Sequence, residues 1–164
     1  MVFSEKPGTA KIGAVLLLIS FIIALVGILS PTWYKSGNAT SGIWMFCLGP
    51  GEFENCESLP LASQEDWYYA VLSLAAIGVI FLFISTIAAF CATGRAVAAI
   101  LGILGGLLIV ISVVVYYMKQ NEAVPTFSEL LYWGFYLSGI SGGIGFIGAL
   151  LLIPGQNQNV VSAY

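Results

Sequence analysis

Charge is what this chain lacks. Its 164 residues include five Lys and Arg, eight Asp and Glu and no His, so only 8% are charged. A water-soluble domain covers itself with roughly 25% charged residues, and this chain has too few to solvate a fold of its length. The few basic residues are scattered and the net charge is −3, which argues against a nucleic-acid partner, because phosphate neutralisation needs clustered Lys and Arg. The missing His matters too. No ionisable side chain lies inside the long apolar runs, which excludes the intramembrane proton relays and ion paths that depend on such groups. No acid, base or metal-ligand cluster is at hand to activate a Ser, a Thr or Cys91. The chain therefore reads as non-enzymatic, with no cofactor and no metal.

Apolar residues are plentiful: 59% of the chain is hydrophobic and the mean hydropathy is +0.98. Four runs approach or exceed the roughly 20 residues needed to cross a bilayer, at about 12–29, 67–91, 96–118 and 130–153. The first is longer than the apolar core of a signal peptide and is read as a span. A single four-span membrane domain over 1–164 follows, with loops at 30–66 and 119–129.

Orientation rests on three signals. Lys6, Lys11 and Arg95 fall on one side against Lys35 and Lys119 on the other, a narrow positive-inside bias. Asn38-Ala39-Thr40 is a glycosylation acceptor in the same loop as Cys47 and Cys56, which suits an oxidising compartment. Trp33, Tyr34, Trp67, Tyr68, Tyr69, Tyr116, Tyr117, Tyr132, Trp133 and Tyr136 gather at the span ends on that side, at the headgroup level such rings prefer. Both termini are thus expected in the cytoplasm and both loops outside.

Residues 42–46, just before Cys47, suit a strand by β propensity, and 49–51 suit a turn. Paired, Cys47 and Cys56 would close a small ring worth about 2 to 3 kcal/mol. The expected fold is an all-α four-helix transmembrane bundle crowned by a small disulfide-stapled extracellular antiparallel β-sheet.

Small residues recur at helical spacing inside the runs: Ser20 with Ala24, Ser85 with Ala89, Gly102 with Gly106, and Gly139 with Gly143. Four residues apart, they share a helix face and admit a neighbouring backbone. That neighbour is either another helix of the bundle or a partner helix. The second reading suits the fourth run best, where Gly142, Gly145 and Gly148 add further faces. Cys91 has the position of a palmitoylated juxtamembrane cysteine or of a buried thiol. Glu52, Glu54, Glu57, Glu65 and Asp66 are read as solvated surface before a cation-attracting field. The C-terminal 160–164 reads as a stub rather than a PDZ ligand, and Phe127 either projects for contact or tucks against the first loop.

Trp33, Gly42-Ile43-Trp44, two residues, Cys47, eight residues and Cys56 resemble the signature of the claudin superfamily, with Ile43 in place of its Leu. The spans, loop lengths and chain length are similar throughout. The resemblance implies that Trp44 anchors the sheet at the membrane. It also implies a structural protein of cell contacts or paracellular junctions in the plasma membrane, whose partners are the lipid bilayer, further copies of itself, and other claudin-like or junctional membrane proteins. An auxiliary gamma-type subunit, bound to a channel or receptor, is the alternative. The segment from Trp33 to Cys47 is shorter than in claudins proper, and no Arg stands near Trp67. Asp66-Trp67 looks more like the peripheral myelin and epithelial membrane protein branch.

Overall fold

The computed structural model describes residues 8–49, 53–59, 65–91, 94–123 and 126–153. In chain order it contains α1 (Gly8–Leu29), β1 (Tyr34–Ser36), β2 (Ala39–Ser41), β3 (Met45–Leu48), β4 (Cys56–Ser58), α2 (Asp66–Phe90), α3 (Arg95–Ala123), α4 (Phe127–Leu130) and α5 (Trp133–Leu150). Helices α1, α2, α3 and α5 are each long and apolar enough to cross a membrane.

In a soluble helix polarity separates the two faces. Here both faces are apolar and size separates them. On α1, Ile12, Val15, Ile19, Ile22, Val26 and Leu29 are exposed, while Gly13, Ala14, Leu17, Ser20, Ala24 and Gly27 are buried. Lipid tails are as apolar as Leu, so bulky residues gain little by leaving them. Small residues gain by letting backbones touch.

The contacts run α2 to α3, α3 to α5 and α5 to α1, with α1 against α2 the lightest seam. Each close seam has a reciprocal pair of glycines. A Cβ on Gly13 would stand 2.7 Å from the Gly148 carbonyl oxygen, and one on Gly148 3.1 Å from that of Gly13. Gly78 and Gly105 meet in the same way at 3.1 and 2.9 Å, and Gly106 and Gly142 at 2.6 and 2.8 Å. Buried hydroxyls add interhelical bonds: Ser20 donates to Ser141 O at 2.7 Å and Ser85 to Ala98 O at 2.6 Å. Ser138 and Ser141 donate to carbonyls of their own helix, which keeps them satisfied away from water.

Two helix boundaries depart from the apolar runs. Helix α3 continues past Met118 to Ala123, where Lys119 and Glu122 pair at 2.8 Å one turn apart. The fourth run, expected as one span from 130, is broken instead. Leu130 ends α4, Leu131 pairs with Tyr34 as a β-bridge, and α5 begins at Trp133. The physical reason is competition for backbone groups: Tyr132 N–H donates to Trp33 O at 3.0 Å and Gly134 N–H to Thr32 O at 2.9 Å. Those bonds to the first loop replace helical ones.

The sheet is antiparallel in the order β1-β2-β3-β4, and Cys47 and Cys56 are disulfide-bonded across β3 and β4. The strand expected over 42–46 starts only at Met45. Gly42 to Trp44 form the β2–β3 connection, closed by Gly42 N–H to Met45 O at 2.9 Å. Of the turn expected at 49–51, residues 50 and 51 lie outside the described residues, as do Glu52, Lys6, Pro125 and the tail from 154. By register, Tyr34, Ser41, Phe46 and Glu57 share one face of the sheet, and Lys35, Thr40, Cys47 and Cys56 share the other.

Candidate functional site: the sheet and its seat

The residues that carry the family resemblance converge where the sheet meets the bundle. Trp33 follows α1 and is fully buried; its indole Nε1–H donates to Gly27 O at 2.7 Å. Its ring meets Tyr116 and Phe135 edge-on at 5.0 and 5.8 Å. Gly42 lies so close to the exit of α1 that any Cβ would strike the Ser30 carbonyl, so glycine is required there by close approach. Ile43 is fully buried, and its carbonyl accepts the Tyr68 hydroxyl at 2.8 Å, tying the β2–β3 connection to α2. Trp44 is half-buried against the core and its carbonyl accepts Leu59 N–H at 3.0 Å. Its buried Nε1 has no hydrogen-bond partner among the described residues.

The aromatic residues expected as a headgroup belt divide into three groups. Tyr69 and Tyr136 are exposed as a belt requires, Tyr34, Trp67, Tyr117, Tyr132 and Trp133 are half-buried, and Trp33, Tyr68 and Tyr116 are buried in an interlocked cluster under the sheet. Phe127 is the member that sequence reasoning left open. It is buried, stacks on Tyr34 at 5.9 Å and meets Tyr116 edge-on at 6.0 Å, so it tucks inward. Lys35 lies over the Tyr132 ring at 4.9 Å, a further cation–π link between the two loops.

Each face of the sheet meets a different side of the bundle end. Tyr34, Ser36 and Ser41 line a cavity of about 430 Å³ with Tyr68, Tyr116 and Phe127, and among the described residues no charged side chain is on its wall. Met45, on the face of Cys47, instead lines a groove toward α1 and α5. Away from both, Leu48, Glu54, Cys56, Glu57 and Ser58 are exposed on the stapled β3–β4 hairpin. Asn38 is exposed in the β1–β2 turn, next to Gly37 at φ +58°.

The glycines singled out by spacing part company. Gly102 is buried where a Cβ would stand 2.7 Å from that of Ala149, and Gly106 belongs to the α3–α5 seam. Both are packing residues. A Cβ on Gly139 would come no nearer than 3.8 Å to Val113, and Gly143 has nothing within 4 Å. The seams of α5 are made by Gly142 and Gly148, and Gly145 packs on Ser20. Cys91, at the end of α2, is exposed rather than the buried thiol, and is not disulfide-bonded. Among the described residues no three His, Cys, Asp or Glu gather as a metal site would need.

No protein-family model matches the chain, and no curated protein matches it.

Proposed function

We propose that this chain is a non-enzymatic, claudin-like protein of the plasma membrane that organises cell–cell contacts or a paracellular junction through its stapled sheet and lateral association. In this reading both termini are cytoplasmic, the sheet is extracellular, Asn38 carries a glycan and Cys91 an acyl chain. The observation that carries it is the seating of the sheet. Trp33 and Ile43 tie it to the bundle and the disulfide joins β3 to β4, so that Leu48, Glu54 and Glu57 stand on a stapled pair of strands. A recognition surface ordered before binding loses less entropy on contact. The test is localisation in cells that touch expressing and non-expressing neighbours. The reading expects enrichment at contacts between two expressing cells, lost when Cys47 and Cys56 are both changed to Ser. Uniform distribution of the unaltered protein would overturn it.

One observation favours the auxiliary-subunit alternative. Among the described residues a Cβ on Gly143 would meet nothing within 4 Å, and one on Gly139, on the same face of α5, would reach only Val113 at 3.8 Å, so this face has room for the close approach of a channel or receptor helix. Purification in mild detergent with mass spectrometry of stoichiometric companions separates the two. A channel or receptor, lost on Gly143→Leu, supports the auxiliary role; further copies of this chain or other four-span proteins support the contact role.

A further inference from the structure

Phe53, between β3 and β4, is the most exposed large apolar side chain among the described residues, at 64%. A single exposed apolar residue needs no explanation, but Phe53 has company. It shares a groove of about 350 Å³ with Val26, Leu29, Pro31, Met45 and Trp133, and among the described residues no charged side chain lines it. Val26 and Leu29 are 50% and 58% exposed and end the stripe of Ile12, Val15, Ile19 and Ile22 that α1 turns outward. The groove is therefore continuous with the surface that faces lipid. Trp133, which opens α5 on the other wall, is of the type favoured at headgroup depth.

We propose that this groove holds an acyl chain of the adjoining lipid leaflet, and that Phe53 is inserted into that leaflet. The stapled hairpin then has two surfaces with different solvents: Met45 and Phe53 toward lipid, and Glu54 and Glu57 toward water. The Cys47–Cys56 disulfide joins the strands on either side of Phe53. A protein partner would be expected to meet polar groups at the rim of such a patch. Here Ser30 is the one polar residue on the wall among the described residues, and its hydroxyl is already bonded to that of Thr32.

The experiment replaces Phe53 by p-benzoylphenylalanine in the full chain, reconstituted in phosphatidylcholine nanodiscs, with the same photoreactive residue at exposed Ser36 on β1 as the reference. Irradiation followed by intact mass measurement is expected to give a one-phospholipid adduct at position 53, several-fold more than at position 36. A cross-link to a second copy, equal yields at the two positions or no adduct would each overturn the proposal. Retention of the Cys47–Cys56 disulfide in each labelled protein, read from the same mass under non-reducing conditions, confirms that the hairpin is native. As a second reading, p-cyanophenylalanine at position 53 should give a nitrile stretch typical of an apolar surrounding. A fully hydrated nitrile in the bilayer would overturn the proposal as well.

Discussion

Within the apolar run, α3 meets α5 at Gly106 and Gly142, where one methyl on either would stand 2.6 or 2.8 Å from the carbonyl oxygen of the other. At the sheet end the same two helices meet through Tyr116 and Phe135, with ring centroids 6.5 Å apart. The difference follows from the solvent. Surrounded by lipid, two helices gain little from burying bulk, so association rests on backbone approach and on hydroxyls such as Ser20 and Ser85. Where the chain leaves the apolar layer, water restores the drive to bury large rings, and Trp33, Tyr68, Tyr116, Phe127 and Phe135 close over the bundle end.

The strongest way to break that comparison is at its aromatic end. Trp33→Ala removes the largest fully buried side chain and should cost about 3 to 5 kcal/mol, read as a lower midpoint of SDS-induced unfolding in mixed micelles. Trp33→Phe retains ring packing but loses the bond to Gly27 O, so its cost should fall to about 1 kcal/mol. Next comes the staple: Cys47→Ser with Cys56→Ser should cost about 2 to 3 kcal/mol of sheet stability. Amide exchange should rise over β3 and β4, with the helices unchanged.

The glycine end is probed by a matched pair. Gly106→Ala puts a methyl against the backbone of α5 and should cost about 1 to 3 kcal/mol in the same unfolding measurement. Gly143→Ala, on the same type of spacing but facing open space, should stay within about 0.5 kcal/mol of the parent. Equal effects at the two positions would remove the distinction between packing and open glycines. Ser85→Ala is also expected to be a small change, about 0.6 kcal/mol, because its hydroxyl makes an interhelical bond to Ala98 O.

Much of this architecture was legible beforehand because its signals are local. Runs of apolar residues, two cysteines in one loop and a Trp after the first span need no knowledge of neighbours. The legible part stopped where two distant segments compete for one group. The break at Leu131 depends on Trp33 and Thr32 accepting hydrogen bonds, and the inward turn of Phe127 depends on Tyr34 being there to stack on.

Length, hydropathy and cysteine placement by themselves determined that the chain forms four apolar helices with a stapled sheet between the first two, since each depends on residue type and spacing along the chain. Which glycines pack was decided only by tertiary structure. Gly102 with Gly106 and Gly139 with Gly143 have the same spacing, and spacing fixes which residues share a helix face without fixing which way that face turns. The rotation of α5 is set by Gly142 against Gly106 and by Gly148 against Gly13, two contacts that bring together residues far apart in the chain.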